Sequence, residues 1–187
     1  NSEYIVAGTR FSYPLHDEGS NPDVPISSYK DNFRATFSMI SVAPETGHMK
    51  VAFQILLPGI NIDLARAGKG KSHGWMFFSC YNSERAHTLL EVNASQNDKD
   101  FIGAINWKKC EEYVKAGKGR KSRNKHLHHT WNEKTHSAES KVEEEVVILD
   151  PTELPDIFYF MPCPKSPHGC DTDPTGSYIV GSGKLAA

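Results

Sequence analysis

The chain has 187 residues, of which 38% are hydrophobic and 24% charged, a composition typical of a globular protein with a sizeable core. Its net charge of −2 offers no broad positive surface for nucleic acid or an anionic membrane. No apolar stretch is long enough to span a bilayer, so the sequence predicts neither a nucleic-acid-binding nor a membrane-spanning protein.

Short β-rich runs succeed one another along most of the chain. The predicted strands are 4–8, 36–42, 50–57, 74–81, 101–107, 145–149, 157–161 and 177–180. The second and third are joined by Pro44-Glu45-Thr46-Gly47, which predicts a hairpin. Such a series is typical of a sandwich, a barrel or propeller blades, and no clear internal repeat decides among them. The run Asp173-Pro174-Thr175-Gly176 before the last strand favours blades.

The first and last predicted strands lie close to the two ends of the sequence. Because domains seldom begin and end so abruptly, we expect an internal piece of a longer protein, cut at both ends.

Helical signals are few. Residues 110–116, with Gly117 behind them, predict a short helix with a glycine stop, and 83–92 could hold a second one. The basic, glycine-rich segment 67–73 lacks both the glycine spacing of a phosphate-binding loop and a following helix. We therefore interpret it as a solvated surface turn.

Residues 115–145 differ from the rest of the chain because they contain few large apolar side chains. They begin with a basic run, pass through His126, His128, His129 and His136, and end in three glutamates. This composition predicts a flexible surface insertion. The histidines are close enough to share a transition metal, but adventitious binding at the surface is the simpler interpretation.

His168 is the first candidate metal ligand. It lies between Pro167 and Gly169 in a segment predicted to be a rigid loop, which would hold the imidazole in a fixed direction. The alternative is a buried histidine bonded to backbone. Cys163 and Cys170 flank the loop and could suggest a Cys/His copper site, although small buried hydrophobes are the simpler interpretation. No C-x-x-C pair supports a zinc ribbon.

A second candidate site consists of oxygen donors. The run Tyr81-Asn82-Ser83-Glu84 ends a predicted strand, and Asp98 follows further on. Carboxylates and carbonyls suit calcium, whereas a solvated polar turn is the alternative.

Four strings follow one another along the chain: Cys80-Tyr81-Asn82-Ser83-Glu84, Pro164-Lys165-Ser166-Pro167-His168-Gly169, Asp173-Pro174-Thr175-Gly176-Ser177-Tyr178 and Gly183-Lys184-Leu185. In this order they resemble nitrous-oxide reductase. The strand at 50–54 and the helix before 115–118 are also similar to the family, so the resemblance covers nearly the whole chain.

The resemblance implies an all-β fold: part of an N-terminal seven-bladed propeller of four-stranded antiparallel blades, with short helices and the long insertion at 115–145. It implies a periplasmic homodimer in which seven histidines hold a sulfide-bridged four-copper cluster. His168 matches one of these histidines, and the other six would lie outside this chain. The family also has a C-terminal cupredoxin domain with a two-copper electron-entry site, which we expect to lie outside this chain.

The resemblance also implies a calcium site. Tyr81 and Glu84 match ligands of the family, Val92 falls where a backbone carbonyl serves, and Asp98 matches by spacing. Ser166 stands where relatives usually have Asn. The long insertion is similar to the family's atypical branch, whose members are implied to cross the membrane unfolded.

The implied reaction reduces nitrous oxide to dinitrogen and water in denitrification, with electrons from a c-type cytochrome or a cupredoxin. We expect this chain to be inactive alone, since it has one cluster histidine and no electron-entry domain. The rival interpretation is a calcium-stabilised propeller that acts as a binding module without redox activity.

Overall fold

A computed structural model describes residues 4–8, 13–14, 33–43, 45–57, 60–83, 100–121, 127–142, 146–163 and 167–183. The strands are β1 (Tyr4–Gly8), β2 (Tyr13–Pro14), β3 (Phe33–Ala43), β4 (His48–Leu57), β5 (Ile60–Ala67), β6 (Trp75–Ser83), β7 (Phe101–Asn106), β8 (Arg120–Lys121), β9 (Leu127–Asn132), β10 (Ser137–Val142), β11 (Val147–Leu149), β12 (Phe158–Pro162), β13 (Pro167–Thr172) and β14 (Ile179–Gly183). One α-helix, α1 (Trp107–Lys115), follows β7 directly.

Two sheets form the body of the molecule. The first has the strand order β1-β3-β4-β11-β8, with β2 beside β3, and its β11 runs parallel to β4. The second has the order β12-β7-β6-β5 and is antiparallel throughout. The predicted hairpin of β3 and β4 is confirmed, with Ala43 opposite His48 beside the turn.

The main core lies between these two sheets, because alternate side chains of each strand face the other sheet. The first sheet contributes Phe37, Met39, Phe53, Ile55 and Leu57, and the second contributes Met76, Phe78, Cys80, Phe101 and Ile105.

Phe78 occupies the centre of this core, with no exposed surface. Its ring is stacked on Phe158 at 5.9 Å and contacts Phe37 at 4.9 Å. A Cβ on Gly103 would lie 2.2 Å from the Phe78 ring, so the neighbouring strand needs a glycine there.

The β13–β14 hairpin forms a third layer on the opposite face of the second sheet. Cys170 and Ile179 of the hairpin pack against Phe77, Ile102 and Ala104 of β6 and β7. We predicted that the segment around His168 is a loop, and this was wrong from Pro167 onwards. Proline is tolerated as the first residue of a strand, and the rest of the segment pairs with β14, a partner that local sequence signals do not reveal.

The basic segment after β5 is not simply a solvated turn. Its 3-10 turn, Gly70–Ser72, docks against the turn that follows β13, and the Lys71 amide donates to the Thr175 carbonyl over 3.0 Å. A Cβ on Gly176 would lie 1.7 Å from the Lys69 carbonyl oxygen, so the two backbones touch. As expected, β6 follows this segment instead of a helix.

Helix α1 begins three residues before the predicted start because the Asn106 side chain caps it, accepting from the Lys109 amide over 3.1 Å. The glycine stop is confirmed, since Gly117 has a φ of 72°. Tyr113 donates to Asp156 over 2.6 Å, which ties the helix to the 3-10 turn before β12.

Within the predicted insertion, the structure places a two-stranded hairpin of β9 and β10 and the short strand β8. The flexibility of 115–145 stays a prediction. Residues 84–92 of the second predicted helix lie outside the described residues, and Ser83 ends β6.

The prediction of an all-β protein is confirmed in its coarse form. The second sheet is a four-stranded antiparallel sheet, but the parallel pair of β4 and β11 departs from the predicted antiparallel blade. Across the residues that the structure describes, the sheets do not close into a ring. Among the described residues, no helix has both the length and the apolar character needed to cross a membrane.

Candidate metal site

His168 is the extra residue of a β-bulge. Pro167 pairs with Gly183 and Gly169 with Ser182, so His168 has no partner position of its own on β14. A bulge re-aims the side chain that it carries, which is why bulges are frequent beside functional sites. The His168 side chain is 50% exposed, so the alternative of a buried structural histidine does not apply.

Asp63 of β5 is the acidic neighbour of this imidazole. Its Oδ2 lies 3.7 Å from His168 Nε2, and its side chain is only 7% exposed. Neither Asp63 nor its strand is among the features predicted from the sequence. The alternation of Ile60, Ile62 and Leu64 with polar residues is the period-2 signal that could have identified them.

Strands β5 and β13 lie side by side and run in the same direction. Three contacts join them in step: Asp63 with His168, a 3.2 Å approach of Leu64 Cδ1 to the position of a Cβ on Gly169, and the ion pair of Arg66 with Asp171 at 3.9 Å. The residue numbers of the partners differ by the same amount in all three. The backbone register therefore sets the proximity of the carboxylate and the imidazole.

The alternative of a Cys/His copper site gains no support from the two cysteines. Burial raises the pKa of the Cys170 thiol to about 11, and burial also raises the pKa of Cys163. The thiolate is the metal-binding form, so both side chains stay protonated near neutral pH. Cys170 packs in the cluster between the hairpin and the second sheet, with Cys163 against it. They act as small apolar side chains there, as the simpler interpretation predicted.

The structure describes little of the predicted calcium site. Tyr81 lies in β6, two residues before its end, and β6 contacts β13. Glu84, Val92, Asp98 and Ser166 lie outside the described residues. The convergence of these five residues stays a prediction.

The histidines of the insertion belong to a different part of the fold. His128 and His129 lie in β9, and His136 is exposed in the turn of the hairpin with a φ of 48°. His126 lies outside the described residues. Across the part of the chain that the structure describes, no three His, Cys, Asp or Glu side chains come close enough to hold a metal ion.

One imidazole on a bulge, half exposed and backed by a buried carboxylate, fits the role of a single ligand in a larger copper centre. Imidazole suits copper. A complete centre would need further histidines beyond the described residues.

No family model matches the chain. The nitrous-oxide reductase of Pseudomonas fluorescens is 26% identical over 186 residues, which are 99% of this chain and 25% of that protein. The nitrous-oxide reductase of Stutzerimonas stutzeri is also 26% identical, over 188 residues that cover 100% of the chain and 25% of the relative. The chain thus spans about a quarter of the length of the curated relatives that it matches, and it is distantly related to that part of them.

Proposed function

We propose that this chain is part of a copper-dependent oxidoreductase that converts nitrous oxide to dinitrogen and water in denitrification. Two findings together carry the proposal. The distant similarity to two nitrous-oxide reductases extends over the whole chain. The histidine that matches a cluster ligand lies half exposed on a bulge beside a buried carboxylate.

The arrangement of the sheets supports a piece of a seven-bladed propeller. The second sheet has the order of a blade, with β5, β6, β7 and β12 adjacent in turn, and β13 and β14 would begin the next blade. In a propeller, the first strands of neighbouring blades lie around the axis in the same direction. The stepwise contacts of β5 with β13 fit this arrangement, in which His168 would lie on the innermost strand of the next blade.

His168 would be one copper ligand, and further histidines of the longer protein would complete the sulfide-bridged four-copper cluster. When bound, copper supplies the redox chemistry, while this chain contributes geometry and charge. The bulge aims the imidazole, the Asp63 carboxylate faces it, and the docked turns after β5 and β13 hold the two strands together.

The calcium site at Tyr81, Glu84, Val92, Asp98 and Ser166 is part of the same proposal. Ser166 directly precedes β13, and Tyr81 lies near the end of β6, which contacts β13. A cation held by both segments would restrain the strand that carries His168.

The remaining features follow from the proposed family. They are a periplasmic homodimer of the atypical branch, a second domain with a two-copper site, and a c-type cytochrome or a cupredoxin as electron donor. The 115–145 insertion is the feature of this chain that supports the branch.

The test uses the full-length protein that contains this chain. Purified after copper loading, it should contain copper and consume nitrous oxide with a reduced viologen as electron donor. His168→Ala should lose the copper of the four-copper cluster and the consumption of nitrous oxide while keeping the two-copper site, whereas His136→Ala, a change at an exposed histidine of the hairpin turn, should keep all three. A folded, calcium-binding protein without copper would instead establish the binding module and overturn the proposal.

A further inference from the structure

Asp63 has an environment unlike that of the other carboxylate on the same pair of strands. The Asp171 side chain is 54% exposed, and Arg66 and Lys69 lie within 3.9 Å and 3.8 Å of it. The Asp63 side chain is 7% exposed and faces the imidazole of His168. Solvent screens the exposed pairs of Asp171, whereas the contact of the buried Asp63 carboxylate with His168 is screened less and has more consequence.

The position of Asp63 is fixed from two directions. On one side, the Leu64 amide donates to the Ser79 hydroxyl of β6 over 3.3 Å, which holds the backbone next to Asp63. On the other, the residues of β13 that follow His168 stay in step with β5, through Gly169 beside Leu64 and Asp171 beside Arg66. The 3.7 Å separation is an ion-pair distance, and a shift of about 0.8 Å brings the two atoms into hydrogen-bond range.

We propose that Asp63 is a positioning residue for His168: its carboxylate accepts a hydrogen bond from one imidazole nitrogen and so leaves the other nitrogen available to copper. This inference rests on the proposed function. A carboxylate on the far nitrogen fixes the tautomer and the orientation of a metal-bound imidazole and makes it a better ligand. Asp63 touches neither copper nor nitrous oxide, so its effect reaches the metal through His168.

The experiment compares copper retention by full-length variants during dialysis against a copper chelator. Asp63→Ala should weaken copper retention on the order of 10- to 100-fold, as losses of such partners usually do. Asp63→Asn should weaken it less, because the amide oxygen still accepts a hydrogen bond but carries no charge. Asp171→Ala is the matched control: it removes a carboxylate from the same strand pair and should retain copper like the wild type.

The outcomes separate this inference from the proposed function. A wild-type protein that takes up no copper overturns the proposed function. If the wild type loads the four-copper cluster and His168→Ala loses that cluster copper, but Asp63→Ala retains it like Asp171→Ala, the inference on Asp63 fails alone. The unfolding temperature and the copper absorption spectrum of each variant show that a loss of copper is not a loss of fold.

A crystal structure of the copper-loaded wild type gives a test that needs no variant. It should show the Asp63 carboxylate within hydrogen-bond distance of the His168 nitrogen that is not bound to copper. A carboxylate turned away from the imidazole would overturn the inference.

Discussion

Replacing Gly176 by alanine should break the contact between the turn that follows β5 and the turn that follows β13. Gly176 has a φ of 71°, and its added Cβ would lie 1.7 Å from the Lys69 carbonyl oxygen, where contacts below 3.0 Å force a shift. The left-handed conformation alone costs about 1–2 kcal/mol for a residue with a side chain. The overlap is with backbone, so relieving it should cost about a further 1–3 kcal/mol, a typical range for overpacking.

Gly47→Ala is a matched control for the conformational part of this cost. Gly47 has a φ of 67°, and an added Cβ would meet nothing within 4 Å. The difference in destabilisation between the two variants therefore isolates the contact between the turns. That contact includes the 3.0 Å hydrogen bond from the Lys71 amide to the Thr175 carbonyl.

Hydrogen exchange measured by mass spectrometry on the full-length protein gives the local opening free energy of the basic turn. The amides of residues 69–73 should exchange on the order of 10- to 100-fold faster in Gly176→Ala than in the wild type, since each 1.4 kcal/mol is tenfold. Gly47→Ala should leave them unchanged. Equal exchange in both variants would refute the argument that the two turns lock together.

Three further predictions concern single groups. The Asp173 carboxylate accepts from a threonine hydroxyl and from backbone amides, which lowers its pKa from 3.8 to about 2. The carboxylate should therefore contribute fully to the stability of the turn above pH 4, and this stability should be lost as the pH falls through about 2. A carbon-13 titration of the Asp173 carboxylate with a midpoint near 3.8 would contradict this. Burial should keep Cys170 much less reactive than Cys163 toward iodoacetamide at pH 8, as measured by mass spectrometry, and equal labelling would argue against the packing described. If calcium braces the segment before β13, Glu84→Ala should lower the copper content of the full-length protein while His128→Ala has little effect, and full copper loading of Glu84→Ala would disprove the coupling.

The strands that the sequence predicted correctly are those whose own composition is decisive. β3, β4, β6 and β7 consist of runs of β-branched and aromatic residues, and such runs bury against a second sheet wherever they occur. The helix stop at Gly117 is likewise a local signal, because a residue with a φ of 72° favours glycine.

The errors arose where a distant partner decides the structure. The segment around His168 contains proline, glycine and polar residues typical of a loop. It nevertheless pairs with β14, and the histidine is the extra residue of a β-bulge. The docking of the basic turn depends on Thr175, about a hundred residues further along the chain. Similarly, β11 joins β4 in parallel, which the antiparallel pattern of the other strands does not suggest.

The candidate site shows the same division. His168 was identified from the residues beside it and from the family resemblance. Asp63 is distant from His168 in sequence, and only the side-by-side placement of β5 and β13 brings the two side chains together.

The most direct test of the central claim is a copper-edge anomalous difference map of the full-length protein after copper loading. We expect a copper peak at bonding distance from an imidazole nitrogen of His168, on strand β13. Copper bound elsewhere with His168 in solvent, or a protein that takes up no copper, would contradict it.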